Sequence, residues 1–400
     1  MNKPDIRFNG FDGEWEEKKL IDICEINPHS ELPKVFEYVD LESVSGTEII
    51  SHRTEFKETA PSRAQRLAKK GDVFYQTVRP YQKNNYFFNL DAKNYVFSTG
   101  YAQLRTNLNG HFLLSILQSN NFVQNVLENC TGTSYPAINP STLGQLKVIY
   151  PSVLEQSKIG NLFSQIDSLI SSTQKEHDKL VSLKKCMLQK MFPKKGCLVP
   201  EIRFEGFSGD WEEKKISDLA TIFIGLVTTM TKYYSNQGTL LIRNSDIKDN
   251  YFSFSDNPIY LNQEFADQNS SRKHKIGDVI TVHTGDVGTS AVITEKEEGT
   301  IGFATIVTRP KTNLLDSIFL SIFLNSDAHK IWAVSVSTGD GRTNYNLGDY
   351  TQLLLKIPSL PEQQKIGSYF QNLDNLISKQ SAELEKLKNV KKTLLSKMFV

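Results

Sequence analysis

Apolar side chains return at steps of three and four over two long stretches of this chain. The first runs Ile159, Leu162, Phe163, Ile166, Leu169, Ile170, Leu180, Leu183, Met187, Leu188 and Met191; the second runs Ile366, Tyr369, Phe370, Leu373, Leu376, Ile377, Leu387, Val390, Leu394, Leu395 and Met398. Such spacing draws one sticky stripe along a helix. No proline interrupts either stripe, and Pro193 follows the first. Ser152 with Glu155, and Ser359 with Glu362, have the spacing of an S-x-x-E capping box at a helix start. The pattern predicts helices over 151–195 and 358–400, each about forty residues or roughly 60 Å long. A helix that long has too little core of its own. Pairing the two stripes in an antiparallel two-stranded coiled coil is the simplest arrangement that buries both. The plainer alternative is that each helix packs only on its own module. Lysines on the polar face, among them Lys175, Lys179, Lys184, Lys185 and Lys190, read as solvated surface or equally as a face towards a partner subunit.

The remainder reads as mixed α/β. Strand-like runs occur at Tyr38 to Val44, Val73 to Val78, Ile242 to Ile247, Val279 to His283 and Ala304 to Thr308. Apolar FLLSILQSN at 112–120 and FLSIFLNSD at 319–327 match each other, as do Gly71-Asp72-Val73 and Gly277-Asp278-Val279. A turn-rich stretch precedes each predicted long helix, TGTSYPAINPSTLGQ at 131–145 and STGDGRTNYNLGDYTQ at 337–352.

These correspondences belong to a repeat of the whole chain. Residues 4–20, PDIRFNGFDGEWEEKKL, return at 200–216 as PEIRFEGFSGDWEEKKI with 12 of 17 positions identical, at an offset of 196. EQSKIGNLF at 155–163 returns at 362–370 as EQQKIGSYF with 6 of 9 identical, and LQKMF at 188–192 returns as LSKMF at 395–399, both at an offset of 207. The second copy has therefore gained 11 residues in its variable part. Repeats of this kind mark structural modules. The chain divides into a first variable domain at 1–150, a first spacer helix at 151–195, a second variable domain at 196–357 and a second spacer helix at 358–400. Differing loops on a common scaffold are where recognition is usually carried.

Four hundred residues exceed one usual core, consistent with two domains. With 39% hydrophobic and 23% charged residues, neither disorder nor a membrane class is indicated. There is no apolar run near eighteen residues and MNKPDIRFNG lacks a signal-peptide core, so a cytoplasmic location is expected. Cys24, Cys130, Cys186 and Cys197 have no CxxC spacing and are not shared by the copies, which supports neither a zinc site nor a disulfide framework. A net charge of +1 carries no partner signal, because a balanced total can hide a basic face.

The search for catalytic motifs is negative. There is no GxxxxGK[ST], HExxH, GxSxG or GxGxxG after a strand, and no Asn-Pro is followed by a second proline as in the adenine-methyltransferase N-P-P-[FY] signature. Pro4-Asp5 with Glu16-Glu17-Lys18 has the outline of a metal-dependent nuclease. The second copy carries Glu201 in place of Asp5, and short matches of this kind arise by chance. No catalytic or metal-binding residue is assigned. Binding is what remains. From Pro61 to Lys93, Arg63, Arg66, Lys69, Lys70, Arg79, Lys83 and Lys93 stand against only Asp72 and Asp91, with Tyr75, Tyr81 and Tyr86 interleaved. The second module offers Arg243, Asn244, Arg272, Lys273, His274, Lys275, Arg342, Thr343, Asn344 and Asn346. Basic groups neutralise phosphates, and Arg, Asn and Gln read base edges. The candidate DNA-binding set is Arg63, Arg66, Arg79, Tyr81, Lys83, Arg243, Arg272, Lys273, Arg342 and Asn344. For any single member a solvated surface role is the competing reading.

PxIRFxGFxGxWEEKK in both copies, YVDLESVSG at 38–46, LIRNSDI at 241–247 and EQxKIG with LxKMF, in this order and duplicated, resemble the specificity subunit of type I restriction-modification enzymes. The resemblance spans essentially the whole chain. It implies two target recognition domains, each reading one half of a bipartite, asymmetric site in double-stranded DNA, with the two helices as an antiparallel spacer of pseudo-twofold symmetry. It also implies two methyltransferase subunits that use S-adenosylmethionine and two restriction subunits that use ATP and Mg²⁺, with no cofactor bound by this chain itself. The rival readings are a coiled-coil adaptor without DNA readout and a self-sufficient nuclease.

Overall fold

The computed structural model describes residues 3–132, 134–338 and 343–399. The chain forms two compact units, one of 1–176 with 380–400 and one of 177–379. Each unit is mixed α/β and each carries two four-stranded sheets. In the first unit one sheet runs Cys24–Ile26, Tyr101–Thr106, Val73–Gln76, Tyr86–Phe87, and the other Arg53–Phe56, Val35–Val39, Tyr95–Ser98, Ala64–Leu67. The second unit repeats the first arrangement with Ala220–Ile224, Ile306–Pro310, Val279–Thr281 and Ser290–Val292. Its other sheet is Tyr234–Ser235, Tyr260–Leu261, Thr239–Arg243, Ile301–Phe303. In each unit this latter sheet contains one parallel pair, Val35–Val39 with Tyr95–Ser98 and Thr239–Arg243 with Ile301–Phe303. Sequence divergence between the copies therefore hides a shared topology.

The repeated motifs are the joints of that topology. Glu16–Lys19 pairs antiparallel with Lys147–Tyr150, and Glu212–Lys215 with Leu354–Ile357, which ties the opening motif to the strand that enters each long helix. Arg7 donates to both carboxylate oxygens of the buried Glu155 at 2.6 and 2.7 Å, and Arg203 does the same to Glu362 at 2.7 and 2.8 Å. The S-x-x-E spacing thus marks the helix start, but each glutamate serves the arginine of the IRF motif rather than a capping box. Fully desolvated carboxylates need such a bidentate partner. The adjacent glutamines accept the N–H of Asn109 and of Asp316, tethering the N-cap residues of Gly110–Gln118 and Ser317–Leu324. A Cβ on Gly160 would lie 2.3 Å from Asn109 Oδ1, so the glycine of the KIG motif is required by this close approach. Asp72, 1% exposed, accepts the Lys69 N–H and the Arg105 guanidinium; Asp278 accepts those of Lys275 and Arg309. That explains the repeated Gly-Asp-Val.

The long helices are Val153–Lys190 and Leu360–Lys397, 38 residues each. They run antiparallel within each unit. Asp167 meets Lys391 and Glu176 meets Gln380 in the first, and Lys184 meets Asp374 in the second. Ile159, Phe163 and Ile166 are buried in the first unit, and Ile366, Phe370 and Leu373 in the second. The buried seam is narrower than the stripe expected from sequence. Leu169, Leu183, Leu376 and Val390 remain 37–52% exposed, because two helices cover only the residues that face each other. The helix ends close the cores. Met191 and Phe192 pack with Trp211, Phe319 and Phe370, and Met398 and Phe399 with Trp15, Phe112 and Phe163.

The strands lie close to the expected runs; four of them end earlier, at Val39, Gln76, Arg243 and Thr281, whereas the run expected at Ala304 to Thr308 is shifted to Ile306–Pro310. Thr239–Arg243 stops where the Asp246 carboxylate accepts the Arg243 N–H at 2.9 Å and starts a single helical turn, Asn244–Asp246.

Candidate nucleic-acid interface

In each unit the segment leaving the Gly-Asp-Val strand is zipped to the turn-rich loop before the long helix. Val78 bridges Ala137, with Arg79 N–H on Pro136 O at 2.8 Å and Ile138 N–H on Thr77 O at 3.0 Å. Thr284 bridges Asn344, with Gly285 N–H on Thr343 O at 3.2 Å and Tyr345 N–H on His283 O at 2.8 Å. The same backbone frame therefore presents different side chains in the two units.

On the first frame, Arg79 and Lys83 both hold left-handed backbone angles, φ +55° and +57°, and flank the short turn Pro80–Gln82. Non-glycine residues in that region cost about 1–3 kcal/mol each and gather at functional sites. Arg79 lies over the Tyr135 ring at 4.5 Å, and among the described residues no carboxylate takes its charge. Tyr81 is 50% exposed at the tip of the turn. A cleft of about 450 Å³ opens here, lined by Arg79, Tyr135, Gln76, Gln82, Asn84 and Ile50. Gln76 donates to Gln82 Oε1 and to Val78 O at 2.8 Å, which holds the floor of the cleft. Lys83 instead turns inward. Its ammonium donates to Gln118 O and Asn120 Oδ1, and burial, with Lys391 and Lys392 nearby, lowers its pKa from the usual lysine value. It braces the turn. Arg66 belongs to the other sheet, in its edge strand Ala64–Leu67, and Arg63 is exposed just before that strand. Arg66 Nε is buried without a partner, and burial lowers its pKa.

On the second frame, Asn344 accepts the Thr284 hydroxyl at 2.8 Å. Asn244 accepts His283 N–H at 2.9 Å and donates to Ala304 O at 3.1 Å, so Asn244, His283, Thr284 and Asn344 meet. Burial holds His283 below the usual histidine range. Arg243 stands beside this group with its guanidinium on Asp246 at 3.1 and 2.9 Å. Arg272 and Lys273 are placed elsewhere in the unit, Arg272 donating to Ile224 O at 2.6 Å and Lys273 pairing with Asp267 at 2.7 Å. Arg342 lies outside the described residues. Tyr135, Gln82, His283 and Thr284 were not singled out by sequence. Tyr135 sits in the turn-rich stretch that sequence did mark, but nothing there signals that it packs on an arginine 56 positions earlier.

Glu16, Glu17 and Lys18, the outline of a nuclease site, lie on an exposed strand, with Glu17 paired to Lys147 and Lys18 to Glu16. Among the described residues no group of three His, Cys, Asp or Glu is placed to hold a metal ion. No helix among them is long and apolar enough to cross a membrane.

The chain is similar at 21% identity over 278 residues to the type I restriction enzyme MjaVIII specificity subunit of Methanocaldococcus jannaschii, a match spanning 66% of this chain and 64% of that protein's length. It is 27% identical over 138 residues to the HindI specificity subunit of Haemophilus influenzae, covering 33% and 30% of the two. In fold it resembles the S subunit of a type I restriction-modification system from M. genitalium, with TM-score 0.63 at 15% identity over 100% of this chain and 99% of that one. It also resembles a chain from a structure addressing complex assembly and conformational transition of a type I R-M system, with TM-score 0.52 at 21% identity over 95% and 96%. The model of the type I restriction modification DNA specificity domain matches residues 12–181 and again 208–389, one copy for each repeat, and the chain belongs to that family.

Proposed function

We propose that this chain is the sequence-specificity subunit of a type I restriction-modification complex and reads a bipartite, asymmetric DNA site, one half-site per unit. The observation that carries the reading is the duplicated loop frame with unlike side chains, Arg79, Tyr81 and Tyr135 on one and Asn244, Thr284 and Asn344 on the other. A shared frame gives both units the same approach to DNA, and the unlike side chains make the half-sites differ. Arginine and asparagine suit bidentate contacts to guanine and adenine edges. Catalysis then belongs to partners: two methyltransferase subunits using S-adenosylmethionine and two restriction subunits using ATP and Mg²⁺, all in the cytoplasm. Leu154, 75% exposed, Leu169 and Leu376 are apolar positions on the long helices where partner helices would pack. A 38-residue helix is about 57 Å long, comparable with roughly 17 base pairs. Co-expression with the cognate methyltransferase subunit, followed by mapping of adenine methylation across the host genome, tests the proposal. One motif of two unlike half-sites with a fixed gap is expected. No new methylation from a complex shown to form would overturn it in favour of an adaptor that reads no DNA.

A further inference from the structure

Each unit carries a two-stranded hairpin close to its reading loops, and the tips of both hairpins rest on the coil. In the first unit the strands are Val44–Ser45 and Glu48–Ile49 with tip Gly46-Thr47; in the second they are Ile247–Lys248 and Tyr251–Phe252 with tip Asp249-Asn250. The second tip residue makes the contact both times. Thr47 donates its hydroxyl to Asp167 Oδ2 at 3.3 Å, and Asn250 donates its side-chain N–H to Asp374 Oδ2 at 3.2 Å. The other oxygen, Oδ1, accepts the ammonium of the opposite helix in both units, Lys391 on Asp167 at 2.5 Å and Lys184 on Asp374. Asp167 and Asp374, like Lys184 and Lys391, are 207 positions apart, the offset of the long-helix repeat.

We propose that Asp167 and Asp374 are positioning residues that latch each reading unit to both strands of the coil and thereby fix the gap between half-sites. The inference rests on the reading that each unit recognises one half-site. An ion pair that merely held two helices together needs no third partner from the variable part. Here the third partner persists although its residue type has changed from threonine to asparagine. The four charged side chains are only 19–28% exposed, so the pairs are largely desolvated and removing one charge strands the other. The hairpins connect onward to the reading loops. Asn84, which lines the Arg79 cleft, accepts the Gly46 N–H at 2.9 Å, and Asn244 lies three residues before the second hairpin. Changing the gap by one base pair displaces a half-site by about 3.4 Å along the duplex, more than a direct hydrogen bond tolerates. DNA with the wrong gap is therefore bound only if a latch opens.

The test uses the whole chain with its methyltransferase partner and two readouts, the gap distribution of methylated sites and hydrogen exchange of the hairpin amides. In Asp167→Asn and Thr47→Val, both half-sites stay the same while sites with a gap one base longer or shorter rise about tenfold, the equivalent of about 1.4 kcal/mol of lost discrimination. Amides at 44–49 lose protection in both variants. Thr47→Val leaves the Lys391 to Asp167 pair intact, so it isolates the latch if Asp167→Asn impairs folding. The latch is overturned by an unchanged gap distribution in complexes that still methylate both half-sites, or by unchanged protection at 44–49. Absence of any bipartite motif from the unmodified complex would instead remove the reading beneath it, whatever the hairpins do.

Discussion

His274 and His329 are 1% and 2% exposed in the second unit, and burial pushes each down to about pKa 4. His329 Nδ1 lies 2.7 Å from Leu324 O and its Nε2 3.2 Å from the Tyr345 hydroxyl, an arrangement that suits the neutral ring. In the unfolded chain both titrate near the usual histidine value, about 6.5. Between these values the unfolded state binds more protons, so the stabilisation is complete above about pH 6.5 and is lost as pH falls towards 4, by roughly 3 kcal/mol for each histidine. Urea melts at about pH 7 and about pH 5, read by proteolysis of each unit, should show the second unit losing stability the more. Equal loss in both units would contradict this account. Lys83, Arg243, Lys273 and Arg79 read alike in sequence as candidate DNA contacts, yet the first three are bound to hydrogen-bond acceptors of their own unit, whereas Arg79 rests on the Tyr135 ring. Side-chain type gives the charge, and the fold decides whether that charge is available.

Among the elements, the two long helices were the most legible, because a stripe sustained over eleven positions leaves little else the segment can be. Their ends were less so. LSKMF reads as the last turn of a helix, but Met398 and Phe399 are 2% and 5% exposed in a core built on Trp15 from the other end of the chain. Ile6 N–H donates to Lys397 O at 3.0 Å, as Ile202 N–H does to Lys190 O at 2.9 Å inside the chain. Phe399→Ala should cost the first unit about 3–5 kcal/mol and leave the second unchanged, as a large-to-small core substitution does. Differential scanning calorimetry would resolve this as a fall in one transition, and a shift of both transitions together would refute the assignment. The hairpins were invisible beforehand. Two-residue strands have no period to detect, and their tips share no residue type.

For the whole molecule, two units with a common frame and unlike side chains should fail independently. Arg79→Ala is expected to weaken DNA binding and relax one half-site by about 1–3 kcal/mol, with the other half-site and the gap unchanged. The methylated motif of the variant complex checks this directly, and a change in both half-sites would argue against separate readers. The duplication, the mixed α/β class and the two long helices were determined by the sequence alone, because each is written as a repeat or a period along the chain; the family was legible only through the resemblance that the repeated motifs carry. The pairing of Arg7 with Glu155, 148 positions apart, was present only as two repeated residues with no sign that they meet. What the tertiary structure alone decided is which of those residues touch: the Asp167 and Asp374 latches, the Arg79 and Tyr135 stack, and the core closed by Phe399. These contacts join positions far apart along the chain, and no local pattern records a distance that exists only after folding.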